Sequence, residues 1–166
     1  YYRGNFATAL REWIPIAKQG NADAQFNLGE MYNTGKGVPQ DYKTAAKWYK
    51  LAAEQGDAVA QFNLGWMYRN GKGVPQDYKT AVKWYRLAAE QGNALAQTNL
   101  GLMYAKGKGV MQDNVYAHMW LNIAASSGNE NASNNRDIIA KEMTPADIST
   151  AQKLAHECVR NNYKGC

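Results

Sequence analysis

Residues 19–54 read QGNADAQFNLGEMYNTGKGVPQDYKTAAKWYKLAAE, and residues 55–90 read QGDAVAQFNLGWMYRNGKGVPQDYKTAVKWYRLAAE. The offset is 36 residues (55 − 19). A third copy starts at Gln91 and holds the frame through Trp120, Ala124, Ala125 and Gly128, although its second half has drifted. Repetition at this period predicts a stack of like supersecondary units, each burying its apolar face against the next.

Each copy contains two helical patterns. Ala24, Leu28, Met31 and Tyr32 recur with helical spacing, and so do Tyr42, Ala45, Ala46, Trp48, Tyr49 and Ala52. The first pattern, helix A, is expected over 21–33, 57–69 and 93–105. The second, helix B, is expected over 41–54, 77–90 and 113–126. Gly35, Gly71 and Gly107 stand where helix A must stop and a left-handed residue caps it without steric cost. Asp41, Asp77 and Asp113 stand at the start of helix B, where a carboxylate accepts amide protons. Gly20, Gly56, Gly92 and Gly128 end the B helices. Small residues at matched places (Gly29, Gly65, Gly101, Ala45, Ala81, Ala117) let paired helices approach closely.

The ends depart from the pattern. Residues 5–18 look like an orphan B helix, so 1–20 is a partial repeat, followed by full repeats at 21–56, 57–92 and 93–128. Asp147 continues the aspartate series at an offset of 34 from Asp113 (147 − 113), so the last unit, 129–166, has lost two residues and the Gly-Lys-Gly turn. Thr144 and Pro145 supply a new start signal for a helix over 145–161. Residues 129–142, rich in Asn, should form a polar closing helix, as a terminal repeat requires. The whole is read as a single all-α repeat domain, an α-solenoid.

The pattern AxAQxxLGxMYxxGKGVxxDxxxAxxWxxxAAxxG, running from Ala22 to Gly56, resembles the Sel1-like repeat family, relatives of the tetratricopeptide repeats. The likeness covers nearly the whole chain, is strongest in 21–92 and is weak at both ends. It implies right-handed stacking of antiparallel helix pairs and an adaptor or scaffold role in protein complexes. It implies no single activity, because such folds host many.

Cys158 and Cys166 are the two cysteines. Matching Ala151 to Ala81 places Cys158 over Ala88 and Cys166 over Ala96, a column pair that also holds Ala52 and Ala60, then Ala124 and Ala132. These small residues should face each other where helix B hands over to the next helix A, near the ~3.8 Å Cβ separation of a disulfide. The spacing is also similar to the bridges of cysteine-rich Sel1-like proteins exported by bacteria, which implies a periplasmic or secreted location. The chain opens at Tyr1 without a Met, which leads us to expect residues upstream, a signal peptide among them.

Composition bounds the function classes. The net charge is +5, but 14 acidic residues mix with 19 basic ones without a basic run, so nucleic acid is not an expected partner. No apolar run approaches the roughly 18 residues of a membrane-spanning helix. Gly-Lys-Gly at 35–37, 71–73 and 107–109 has no GxxxxGK[ST] frame and is read as architecture. His156 with two cysteines is an incomplete zinc set, so neither metal nor cofactor is expected. His118 has no nucleophile in its motif and is read as a packing or surface residue, and no SxxK motif occurs.

The chain is therefore expected to be noncatalytic, binding a protein or peptide. Positions that change while the frame persists are the freer ones to serve a ligand. Position 30 points nearly opposite the apolar arc of helix A, and its column reads Glu30, Trp66, Leu102. Two readings fit it: a binding stripe on the concave side, or lateral packing between units. Arg69, with Asn33 and Ala105 in its column, would supply a polar rim. Asn27, Asn63 and Asn99 repeat without change, as do Gln25, Gln61 and Gln97; they either satisfy backbone and interhelical groups or, for the asparagines, form a ladder along a bound peptide. The alternatives are an envelope-associated hydrolase acting on cell-wall or β-lactam-like substrates, suggested only by related exported repeat proteins, and a structural spacer within a longer polypeptide.

Overall fold

The computed structural model describes residues 6–166. Among them lie the helices α1 (Phe6–Lys18), α2 (Ala22–Thr34), α3 (Tyr42–Glu54), α4 (Ala58–Asn70), α5 (Tyr78–Ala89), α6 (Ala94–Lys106), α7 (Asn114–Ser126), α8 (Glu130–Ala140) and α9 (Pro145–Arg160), and no strand. Position 5 of the expected orphan helix lies outside the described residues. Contacts divide the chain into a first unit ending at Asp77 and a second beginning at Tyr78.

The A helices begin one residue later than periodicity places them. Asn21, Asp57 and Asn93 are extended, and each accepts the amide three residues on, from Ala24, Ala60 and Ala96. They are N-caps, outside the helix they start. Asp41 and Asp113 cap α3 and α7 in the same way. Thr144 and Asp147 close a reciprocal capping box at α9, with Pro145 in the first turn.

In the first unit α2 packs on α1 and α3, and α3 on α4. Its core includes Ala17, Ala24 and Leu28, with Trp13, Ile14 and Trp48 against them. In the second unit Ala117, Leu121, Ala124, Ala132 and Ile139 form the corresponding core, and α9 lies on α7. Gly29 makes room for a side chain rather than a backbone: a Cβ there would stand 2.6 Å from the Tyr49 ring.

Buried glutamines tie each A helix to the end of the B helix before it. Gln25, Gln61 and Gln97 donate to the carbonyls of Ala17, Ala53 and Ala89 at 3.0–3.1 Å. In the first unit Gln55 in turn donates to Gln25 Oε1 at 2.7 Å. Two repeats on (127 − 55 = 72) the position holds Ser127, whose side chain is too short to make that reach, and Gln97 Oε1 is buried without a partner. Ser127 has nearly the backbone of Gln55, φ −89 and ψ 11 against −86 and 0. Ser127→Gln is therefore expected to stabilise the second unit by about 1 kcal/mol. A urea midpoint unmoved or lowered by the substitution would remove this account of the orphaned carbonyl.

Candidate functional site

The apolar arcs of the A helices are buried: Ala24, Leu28 and Met31 on α2, Ala60, Leu64 and Met67 on α4, Ala96, Leu100 and Met103 on α6. Along the flank of each runs a second row at i, i+4, i+7 and i+11, which helical geometry keeps on one face. On α2 it reads Asp23, Asn27, Glu30, Thr34. On α4 it reads Val59, Asn63, Trp66, Asn70, and on α6 Leu95, Asn99, Leu102, Lys106.

Trp66 is 37% exposed and Val59, two turns before it, 47%. Leu102 is half-buried, while Leu95 is 53% exposed. Val59 and Leu95 are not among the sequence-predicted positions, whose only apolar column is that of position 30. The signal was there: seven residues earlier the column Asp23, Val59, Leu95, Asn131 varies as freely and lies on the same face.

Glu30 is half-buried and its carboxylate is engaged. It accepts the Tyr49 hydroxyl and, at 3.1 Å, the Asn63 amide, so this pair joins α2, α3 and α4. Burial, reinforced by the Glu30 carboxylate, pushes the Tyr49 phenol above its usual range and keeps it the donor. In the third copy both polar partners are replaced together: Leu102 stands at the place of Glu30 and Leu121 at that of Tyr49, with Leu121 packed against Gly101.

The asparagines have different surroundings. Asn63 Nδ2 donates to Glu30, and Asn99 Nδ2 donates to the Leu95 carbonyl at 2.8 Å. Asn27 is half-buried on the α2 row, and Arg69 half-buried on α4 beside it in sequence to Asn70.

His118 is buried in α7, in the column of Ala46 and Val82, and its Nδ1 has no hydrogen-bond partner. Burial and then the Arg136 guanidinium hold its imidazole below the usual range, against the opposing pull of Asp137. It is a packing residue. Among the described residues no group of three or more His, Cys, Asp or Glu could hold a metal ion.

Cys158 and Cys166 form a disulfide with Cα atoms 5.6 Å apart. The frame that paired them stops short of the local structure, since the described residues after α9 do not take up the course of an A helix. Residues 161–165 turn back instead, with Asn162 at φ 51 and Tyr163 at φ 63.

The Sel1 repeat family matches at residues 22–57, 58–93 and 94–129. A solved protective antigen of uropathogenic Escherichia coli displaying an SLR fold is 36% identical, with a TM-score of 0.86 over 96% of this chain. The chain spans 35% of that antigen's length. A Sel1 repeat protein from Oxalobacter formigenes is 41% identical, with a TM-score of 0.70 over 77% of this chain and 96% of its own. No curated protein matches. The fold is thus the all-α solenoid class that the repeat frame led us to expect. Nothing in these likenesses points to hydrolysis of cell-wall or β-lactam-like substrates.

Proposed function

Because the chain belongs to the Sel1 repeat family, whose repeats generally serve as protein-binding modules, we propose that it is a noncatalytic scaffold holding a protein or peptide partner on the exposed flank of its A helices. The observation that carries this reading is the pair Val59 and Trp66, exposed on an α4 row whose other members are Asn63 and Asn70. An exposed indole framed by amides supplies the buried anchor and polar rim of a binding hot spot. Glu30, bonded to Asn63 of the same row, Asn27 and Arg69 are included in the proposed surface of the first unit, and Leu95, Leu102 and Asn99 repeat the motif on α6. The proposal includes a periplasmic or secreted location. The Cys158–Cys166 bond supports it, since disulfides persist in oxidising compartments, as does the likeness to a bacterial antigen.

The test starts from a partner captured from the cells that make the protein, with its affinity for purified variants then measured by calorimetry. Trp66→Ala should weaken binding by about tenfold or more. Leu87→Ala, which removes an equally exposed apolar side chain from α5, should leave affinity unchanged. Equal affinities for the Trp66 variant and the parent would end the proposal for this row.

A further inference from the structure

The outward face of α3 carries Lys43, Lys47 and Lys50, all exposed. Their i, i+4, i+7 spacing puts them on one side, about 10 Å end to end. A fourth cation extends the row: Lys72, in the turn after α4, sits 5.3 Å from the centre of the Tyr42 ring at the start of α3. The second unit repeats the spacing with Lys79, Lys83 and Arg86 on α5, where Arg86 is half-buried and donates to the Tyr104 hydroxyl, and with Lys108 5.1 Å from the Tyr78 ring. All six helix positions in the two rows are cationic.

Exposure alone does not account for this. A face that needed only to be wet could mix signs, and like charges at i, i+4 weaken a helix. The carboxylates at the two ends of the first row offset only part of its charge. Asp41 caps α3, accepting the amides of Lys43 and Thr44 and the Thr44 hydroxyl, and Glu54 pairs with Lys50 at 3.7 Å. Nor does the fold require the cations. In the third copy the same positions hold Val115, Met119 and Asn122, and there Met119 is buried where α9 packs on α7. Leu51, 43% exposed, follows Lys50 on the open face of α3.

That face is the exposed side of one helix, so a single acidic segment lying on it would keep its charges in water. Exposed pairs with individual carboxylates contribute less than about fivefold each, often nothing. A planar array of negative charges acts on every lysine together, at roughly fivefold per lysine. We propose that the outer face of α3 docks peripherally on an anionic lipid bilayer, with Lys43, Lys47, Lys50 and Lys72 among the headgroups and Leu51 at the interface. This surface is separate from the A-helix flank and its test does not involve the protein partner.

The experiment is co-sedimentation of the whole chain with vesicles of phosphatidylcholine alone and of equimolar phosphatidylcholine and phosphatidylglycerol. Binding is expected to the mixed vesicles only, with release in high salt. Lys43→Gln, Lys47→Gln and Lys50→Gln combined should lower partitioning about a hundredfold, and Lys47→Gln alone about fivefold. Lys141→Gln, Lys153→Gln and Lys164→Gln, which remove equal charge from exposed positions off the row, should change it by less than about threefold. Circular dichroism checks that both triple variants are as helical as the parent. Absent binding to the mixed vesicles, equal binding to both vesicle types, or equal losses in the two triple variants would overturn the proposal. So would binding of a polyglutamate peptide by a chain that ignores vesicles, which would reassign the row to acidic polypeptide.

Discussion

Gly73→Ala is expected to destabilise the first unit by more than about 3 kcal/mol, while Gly71→Ala, two residues earlier in the same turn, costs about 1 kcal/mol. Both glycines are left-handed, at φ 70 and φ 65, so both substitutions carry the same conformational penalty. They differ in what a Cβ would meet. At Gly71 its nearest neighbour is Gln76 Cβ at 3.4 Å, an ordinary contact. At Gly73 it would stand 2.1 Å from the Tyr42 carbonyl oxygen, 2.3 Å from the carbonyl carbon and 2.7 Å from the Lys43 nitrogen. Those atoms belong to the first turn of α3, which cannot yield without moving the helix and the Asp41 cap with it. Chain of this length loses roughly 2–4 °C of melting temperature per kcal/mol, so thermal unfolding followed by circular dichroism separates the two variants. In the second unit a Cβ at Gly109 would stand 2.3 Å from the Tyr78 carbonyl oxygen, so Gly109→Ala should behave like Gly73→Ala. Similar melting temperatures for Gly71→Ala and Gly73→Ala would show that the close approach is not limiting.

The second glycine of Gly-Lys-Gly also shows where sequence reading stops. Three copies of the tripeptide identified the turn as architecture, and the first glycine's capping role follows from where helix A must end. The second glycine's reason is its close approach to Tyr42 of the preceding copy, 31 residues earlier (73 − 42), which no local pattern displays. Periodicity places the helix starts one residue early because the caps Asn21, Asp57 and Asn93, like Asp41 and Asp113, sit in register with the helices they begin. Helical arithmetic put position 30 opposite the arc of its own helix. It could not show that Tyr49 and Asn63 reach Glu30 from two other helices. The cysteine pairing was legible because it needed only the repeat frame, which survives two missing residues. Val59 and Leu95 are legible by the same copy-to-copy comparison that selects Trp66, two turns back along the helix.

Removing the disulfide, as Cys158→Ser with Cys166→Ser, is expected to cost about 2–3 kcal/mol, the loop-closure value for so short a ring, and to release the chain after Arg160. The four earlier B helices end on glycines with φ between 83 and 100. In the last copy the frame puts Asn162 at that place (128 + 34), and Tyr163 after it is left-handed as well. Asparagine tolerates this region, but tyrosine does so only when held there. Three contacts hold it. The Tyr163 amide donates to the Cys158 carbonyl at 2.8 Å, the ring lies against the turn at Gly92, within 3.3 Å of where a Cβ would be, and the disulfide anchors the residues beyond. The amide bond repeats the link from Asp57 to Ala52, Asn93 to Ala88 and Asn129 to Ala124 that closes the other B helices. In those copies a following A helix secures the turn; here residues 161–165 turn back instead, and the covalent bond takes that role. Hydrogen exchange of the double-serine variant should therefore show the Tyr163 amide unprotected and faster exchange at Gly92, with α2 to α4 unchanged. A Tyr163 amide as protected as in the parent would mean that ring packing alone suffices and that the bond contributes nothing to closing the last repeat.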